Sequence, residues 1–176
     1  MKNKKDNFII TIFIMTFVLS VVFSTVSNVI TTTFEGNNIL MFIIMVAVIL
    51  IGIIFDAIGT AGITAKEATF HSMSSAKVKG AKEALALVRN SSKISSICND
   101  VVGDVCGIVS GGLGAVLAIS LSTTFKLDNT LVAVILSAFV SSLTVGGKAI
   151  TKQLAIKKSD SIIFTVGKIK SFLHLK

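Results

Sequence analysis

Two carboxylates set in an apolar stretch are the residues best placed to do chemistry. Asp100 and Asp104 lie between Ile94 and Leu121, with Ser96 and Asn99 just before them. On an ideal α-helix, at about 100° per residue, Ser96, Asp100, Gly103, Asp104, Gly107, Gly111 and Gly114 share one face. Val101, Val102, Val105, Ile108, Val109 and Val116 fill the opposite face. The spacing predicts valine and isoleucine outward, and carboxylates and glycines inward. A carboxylate at membrane depth costs about 2.5–3.5 kcal/mol on insertion scales. Two of them about 6 Å apart along a helix axis cannot both stay charged cheaply without a counter-ion. Either a bound cation supplies that charge, or Lys148 or Lys93 does so near the cytoplasmic edge. Asp56 ends another apolar run, where a ligand role and a helix-end role are both open.

The donors available are oxygens. Carboxylates, the Asn99 amide, hydroxyls such as Ser96 and backbone carbonyls suit Mg²⁺ or Ca²⁺ better than zinc or copper. Na⁺ or a proton could use the same groups. The expected metal set is therefore Asp100, Asp104, Asn99, Asp56 and Ser96, with Mg²⁺ as the bound or transported ion. The glycines have a plainer use as well, because small residues four apart let membrane helices pack closely. Cys98 and Cys106 would sit about 12 Å apart on a helix, too far for a bridge, and read as buried thiols. His71 and His174 stand apart from any nucleophile or metal cluster, so no enzyme is expected.

The elements that must position these groups are membrane helices. The chain has 176 residues, 52% of them hydrophobic and only 15% charged, and its mean hydropathy is +0.87. Phe8–Ile30, Ile39–Phe55, Ile94–Leu121 and Leu131–Val145 are the apolar runs, which predict an all-α membrane bundle with about four spans. The basic start also resembles a signal peptide, but the first run is long for one and no clear cleavage site follows, so a retained span is expected. Thr64–Lys93 is amphipathic, with Val78, Ala81, Leu85 and Val88 at helical spacing among lysines. Residues 149–176 repeat the pattern with Ile162, Val166, Ile169 and Leu173. Both predict juxtamembrane helices lying on the cytoplasmic surface.

Charge sets the expected orientation. With four spans and the N-terminus inside, segments 1–7, 58–93 and 148–176 hold sixteen of the seventeen Lys and Arg residues. The positive-inside rule favours that arrangement, with both termini cytoplasmic in a multi-pass cell-membrane protein. The net charge of +8 then points to the lipid bilayer and its anionic cytoplasmic leaflet rather than to nucleic acid.

The order of parts resembles the transmembrane domain of the CNNM/CorC magnesium transporters: a span, a cytoplasmic helical pair, two spans and a basic amphipathic helix. The resemblance covers about residues 39–176, leaving 1–38 as an extra span with its outer loop. Phe55-Asp56-Ala57-Ile58-Gly59-Thr60-Ala61 is similar to that family's F-S-x-x-E-x-A. Ser95-Ser96-Ile97-Cys98-Asn99 falls at its Ser/Thr-rich segment and Asn. Gly147-Lys148-Ala149-Ile150-Thr151-Lys152-Gln153-Leu154-Ala155 looks like its G-E-x-x-P-K-x-x-A. The departures are Asp56 for serine, Gly59 for glutamate, Lys148 for the acidic residue and Thr151 for proline. No counterpart of the family's CBS-pair module occurs in this sequence. The family's ligand positions therefore carry over at Asn99 and Asp56 alone. The resemblance implies a homodimer with a cation site in each subunit, open to the cytoplasm. The expectation is a divalent-cation transporter-like protein, with Mg²⁺ as cargo. The alternative is a membrane interaction or regulatory protein that keeps the fold without transport.

Overall fold

A computed structural model describes residues 2–33 and 37–174, and every regular element among them is helical. The helices are α1 (Lys2–Thr33), α2 (Asn38–Thr64), α3 (Glu67–Ser75), α4 (Ala81–Arg89), α5 (Ser91–Ser95), α6 (Asp104–Phe125), α7 (Asn129–Lys157) and α8 (Ser159–His174). Between α5 and α6 the chain stays helical but widens into a π-helical stretch, Ser96–Gly103. Four helical segments are long and apolar enough to cross a membrane: Ile10–Thr33, Asn38–Thr64, Ser91–Phe125 and Asn129–Lys157. Several outrun the apolar runs that predict them. α2 continues past Asp56 to Thr64 although Gly59 and Gly62 weaken a helix, and Ala61 packs into a buried core there.

By packing, the chain divides into two compact units, residues 1–53 with 101–147 and residues 54–100 with 148–176. The first is aliphatic. Met41, Met45, Ile49 and Ile53 recur every four residues along α2 and meet Val105, Val109, Leu113 and Leu117 of α6, with Val140 of α7. α1 packs on α6. Gly52 lets α2 approach the Cys106 side chain, where an added methyl would lie 2.9 Å from Cβ. Along α6 and α7 runs a groove lined by Gly107, Gly111, Gly114, Ser137, Ser141 and Thr144. At the end of α6, Lys126 takes a left-handed conformation (φ 53°) and closes the helix.

The valine face is split and does not all turn outward as expected. Val101 and Val105 are each 1% exposed, while Asp100 and Asp104 are exposed. Ile108 and Val116 do point outward, as the wheel requires. Lipid tails are as apolar as leucine, so in a membrane helix the more hydrophobic face is not a guide to the buried one.

The second unit is built from small residues. Ala61, Ala65, Phe70, Ala84, Val88, Ala155 and Ile163 form its core, with Phe70 fully enclosed. The segment Thr64–Lys93 is not one helix. Lys77 (φ 57°) and Gly80 (φ 85°) turn the chain between α3 and α4, which leaves Val78 in the turn and 39% exposed. Gly80 also lies under α8: a methyl there would be 2.8 Å from the Lys168 Cα, and one on Gly167 would be 2.6 Å from the Gly80 carbonyl. The two glycines let α4 and α8 touch backbone to backbone. α8 therefore buries Ser159, Ile163 and Gly167, and the apolar stripe beside them is half-buried at Ile162 and Val166 and faces out at Ile169 (56%) and Leu173 (70% exposure). Asp160 ties the unit together, accepting hydrogen bonds from the Lys66 N–H (2.9 Å) and the Thr69 hydroxyl (3.1 Å). It satisfies the start of α3, whose own N-cap residue, Lys66, offers no side-chain bond.

Candidate cation site

The second unit holds a polar cluster at a depth where polar groups need partners. Asp56 and Thr60 lie one turn apart on α2 and are 6% and 7% exposed. Gly59 sits between them on the same side of the helix. The Asn99 side chain occupies the space beside Gly59, its Oδ1 lying where a Cβ would stand. The π-helical stretch makes this possible. Widening the turn to i→i+5 bonding changes the angular step, and Asn99 comes to α2 on the same side of its helix as Ser95, one turn before it. Asn99 Nδ2 donates to the Ser95 hydroxyl at 3.2 Å, which fixes the amide with its oxygen toward α2.

Three oxygens in this cluster are buried and have no hydrogen-bond partner: Asp56 Oδ2, Thr60 Oγ1 and Asn99 Oδ1. A buried polar atom without a partner costs about 1–3 kcal/mol, more when charged. Other buried polar groups show how easily the chain avoids this. In the first unit, buried Ser110 and Ser122 donate to their own helix carbonyls at 3.0 and 2.9 Å.

Lys148 supplies the charge partner. Its Nζ lies 3.8 Å from Asp56 Oδ1, with the two side chains 25% and 8% exposed. That distance is an ion pair without a hydrogen bond. The expected pairing of Lys148 with Asp100 or Asp104 is therefore replaced by one with Asp56. The cause is helical phase: Lys148, within the unbroken helix α7, points to Asp56 of α2.

Of the residues singled out by sequence, Asp56 and Asn99 both bring buried oxygens near Gly59, Asp56 one turn before it on α2 and Asn99 packed against it. Ser96 is half-buried in the π-helical stretch, Asp100 is exposed at the end of the second unit, and Asp104 is exposed at the start of α6 in the first. Among the described residues, no three His, Cys, Asp or Glu side chains converge. Thr60, Ser95 and Lys148 are the additions. Thr60 was discoverable from its spacing of four after Asp56. The Lys148 pairing joins distant parts of the chain and leaves no local signal. Cys98 and Cys106 are both buried, each beside a glycine of α2. No family model, curated protein or solved structure matches the chain.

Proposed function

We propose that this is a multi-pass membrane protein of the cation-transporter type, resembling the CNNM/CorC transmembrane domain, whose ion pocket is the Asp56–Thr60–Asn99 cluster. One observation carries the reading: three oxygens of hard-donor type, buried on adjoining helices, share a cluster and lack partners. A hard cation such as Mg²⁺ is the cargo that would use all three donors at once, keeping part of its water. Asp100 and Asp104, as exposed carboxylates, attract the hydrated ion from water. Four membrane-length helices supply the barrier, and the charge partition orients both termini to the cytoplasm. The exposed stripe of α8 with Lys157, Lys158, Lys168 and Lys170 docks on the anionic leaflet. A homodimer follows from the resemblance.

Flux into proteoliposomes holding a Mg²⁺-sensitive dye tests the reading. Saturable uptake that is lost in Asn99→Leu and Thr60→Val is expected. Uptake equal to wild type in both variants would place the ion path elsewhere. A second reading, a fold-retaining protein without transport, is favoured by the Lys148–Asp56 pair, since an ammonium already balances this buried carboxylate. Proteoliposomes with no uptake at any Mg²⁺ concentration would select it.

A further inference from the structure

The cluster is neutral as it stands. Asp56 contributes one negative charge and Lys148 one positive charge, 3.8 Å apart. An ammonium has three donors and no acceptor, and the carboxylate oxygen it faces is only one of the acceptors present. The other Asp56 oxygen, the Thr60 hydroxyl and the Asn99 amide oxygen remain open. An all-oxygen set with one carboxylate and a resident ammonium fits a doubly charged ion poorly, because the ion and Lys148 would repel at close range.

We infer that Lys148 is the pocket's own tethered cation, which competes with a free divalent ion for Asp56 and sets how tightly the pocket binds it. The inference rests on the pocket assignment above and adds the group that regulates it. The lysine sits on Asp56 in the structure, and its exposure leaves it a second place in water. Its side chain is a quarter exposed, so the head can leave the carboxylate along its flexible stem without passing through the core. With the head on Asp56, the pocket is charge-balanced and closed to Mg²⁺. With the head away, Asp56 Oδ1 and Oδ2, Thr60 Oγ1 and Asn99 Oδ1 are free to meet an ion. Neither a salt bridge made only for stability nor an empty cavity has this property. A stabilising pair would leave no acceptors open, and a cavity would hold no competing charge.

The test is MgCl₂ titration of the full chain in detergent, by calorimetry and by the Mg²⁺ dependence of thermal unfolding. Wild type is compared with Lys148→Gln and Lys148→Met, each with and without Asn99→Leu. Removing the ammonium is expected to tighten Mg²⁺ binding at least tenfold. It should also make the unfolding temperature rise with Mg²⁺ at concentrations that leave wild type unchanged, since a ligand of the folded state stabilises by mass action. Adding Asn99→Leu should cancel both effects. If wild type and the Lys148 variants bind equally and Asn99→Leu abolishes both, the pocket stands and the tethered-cation inference is overturned. If no variant binds Mg²⁺, both fall. Should both Lys148 variants fail to fold, the wild type decides by itself. Saturable micromolar binding with Lys148 intact overturns the inference, saturable millimolar binding that Asn99→Leu abolishes upholds it, and no saturable binding overturns both.

Discussion

The two units treat buried polarity in opposite ways. The first encloses Ser110 and Ser122, and each hydroxyl is satisfied by a carbonyl of its own helix. Its core is otherwise Met, Ile, Leu and Val. The second encloses Asp56, Thr60 and Ser95 among alanines, and leaves three oxygens open. Burial alone does not mark a site, because both units bury polar groups. The unmet valence marks it, since folding gains nothing from an acceptor removed from water with no donor in reach.

Variants can break this comparison, and the largest effect belongs to the charged pair. Lys148→Met strands the Asp56 carboxylate, whose side chain is 8% exposed, and is expected to destabilise the protein by about 3 kcal/mol. The double variant Asp56→Leu with Lys148→Met should recover most of that, measured by unfolding in micelles. A double-variant cycle with no coupling would mean that the pair does not form. Next is the glycine crossing. Gly167→Val forces a branched side chain into the Gly80 carbonyl and the Ala84 backbone, with an expected loss of about 2–3 kcal/mol. Gly111→Val in the first unit is the control, because no atom lies within 4 Å of its added Cβ. A loss there equal to that at Gly167 would show that a second copy of the chain fills the α6–α7 groove.

Smaller effects sharpen the contrast. Asp160→Ala removes two acceptor bonds at the start of α3 and should cost about 1.5 kcal/mol, seen as faster hydrogen exchange at Lys66 and Thr69. The smallest effect is at Asp128. The Leu131 and Thr130 N–H groups donate to its carboxylate and hold its pKa below the usual value. A lowered folded-state pKa stabilises the fold above the unfolded value, about 4, and this stabilisation is lost as pH falls through the lowered value. The unfolding temperature of Asp128→Asn should therefore approach that of wild type as the pH drops from about 5 to about 2. A gap that stays constant with pH would show that the carboxylate's charge is not what caps α7.

Much of the fold was legible because apolar runs of membrane length have few other uses. The π-helical stretch was not. It is a departure from the periodicity by which Ser96–Gly114 was placed on one wheel, and the side chain it brings inward, Asn99, is held by Ser95 and Gly59 rather than by an apolar pattern. Val101 and Val105 were assigned to the wrong side because hydrophobicity does not separate lipid from protein interior. Asp56 could be read as a candidate from its charge alone. Lys148 could be read as a counter-charge too, but for Asp100 or Asp104; which carboxylate it meets depends on the packing of α7 against α2, which has no local sequence signal.

The most direct measurement of where the ion sits is anomalous scattering from crystals of the Lys148→Gln protein soaked in Mn²⁺, a hard divalent stand-in for Mg²⁺. The expected result is a peak within coordination distance, about 2.2 Å, of Asp56 and Asn99. A peak on Asp100 or Asp104 with none at Asp56 would contradict the account.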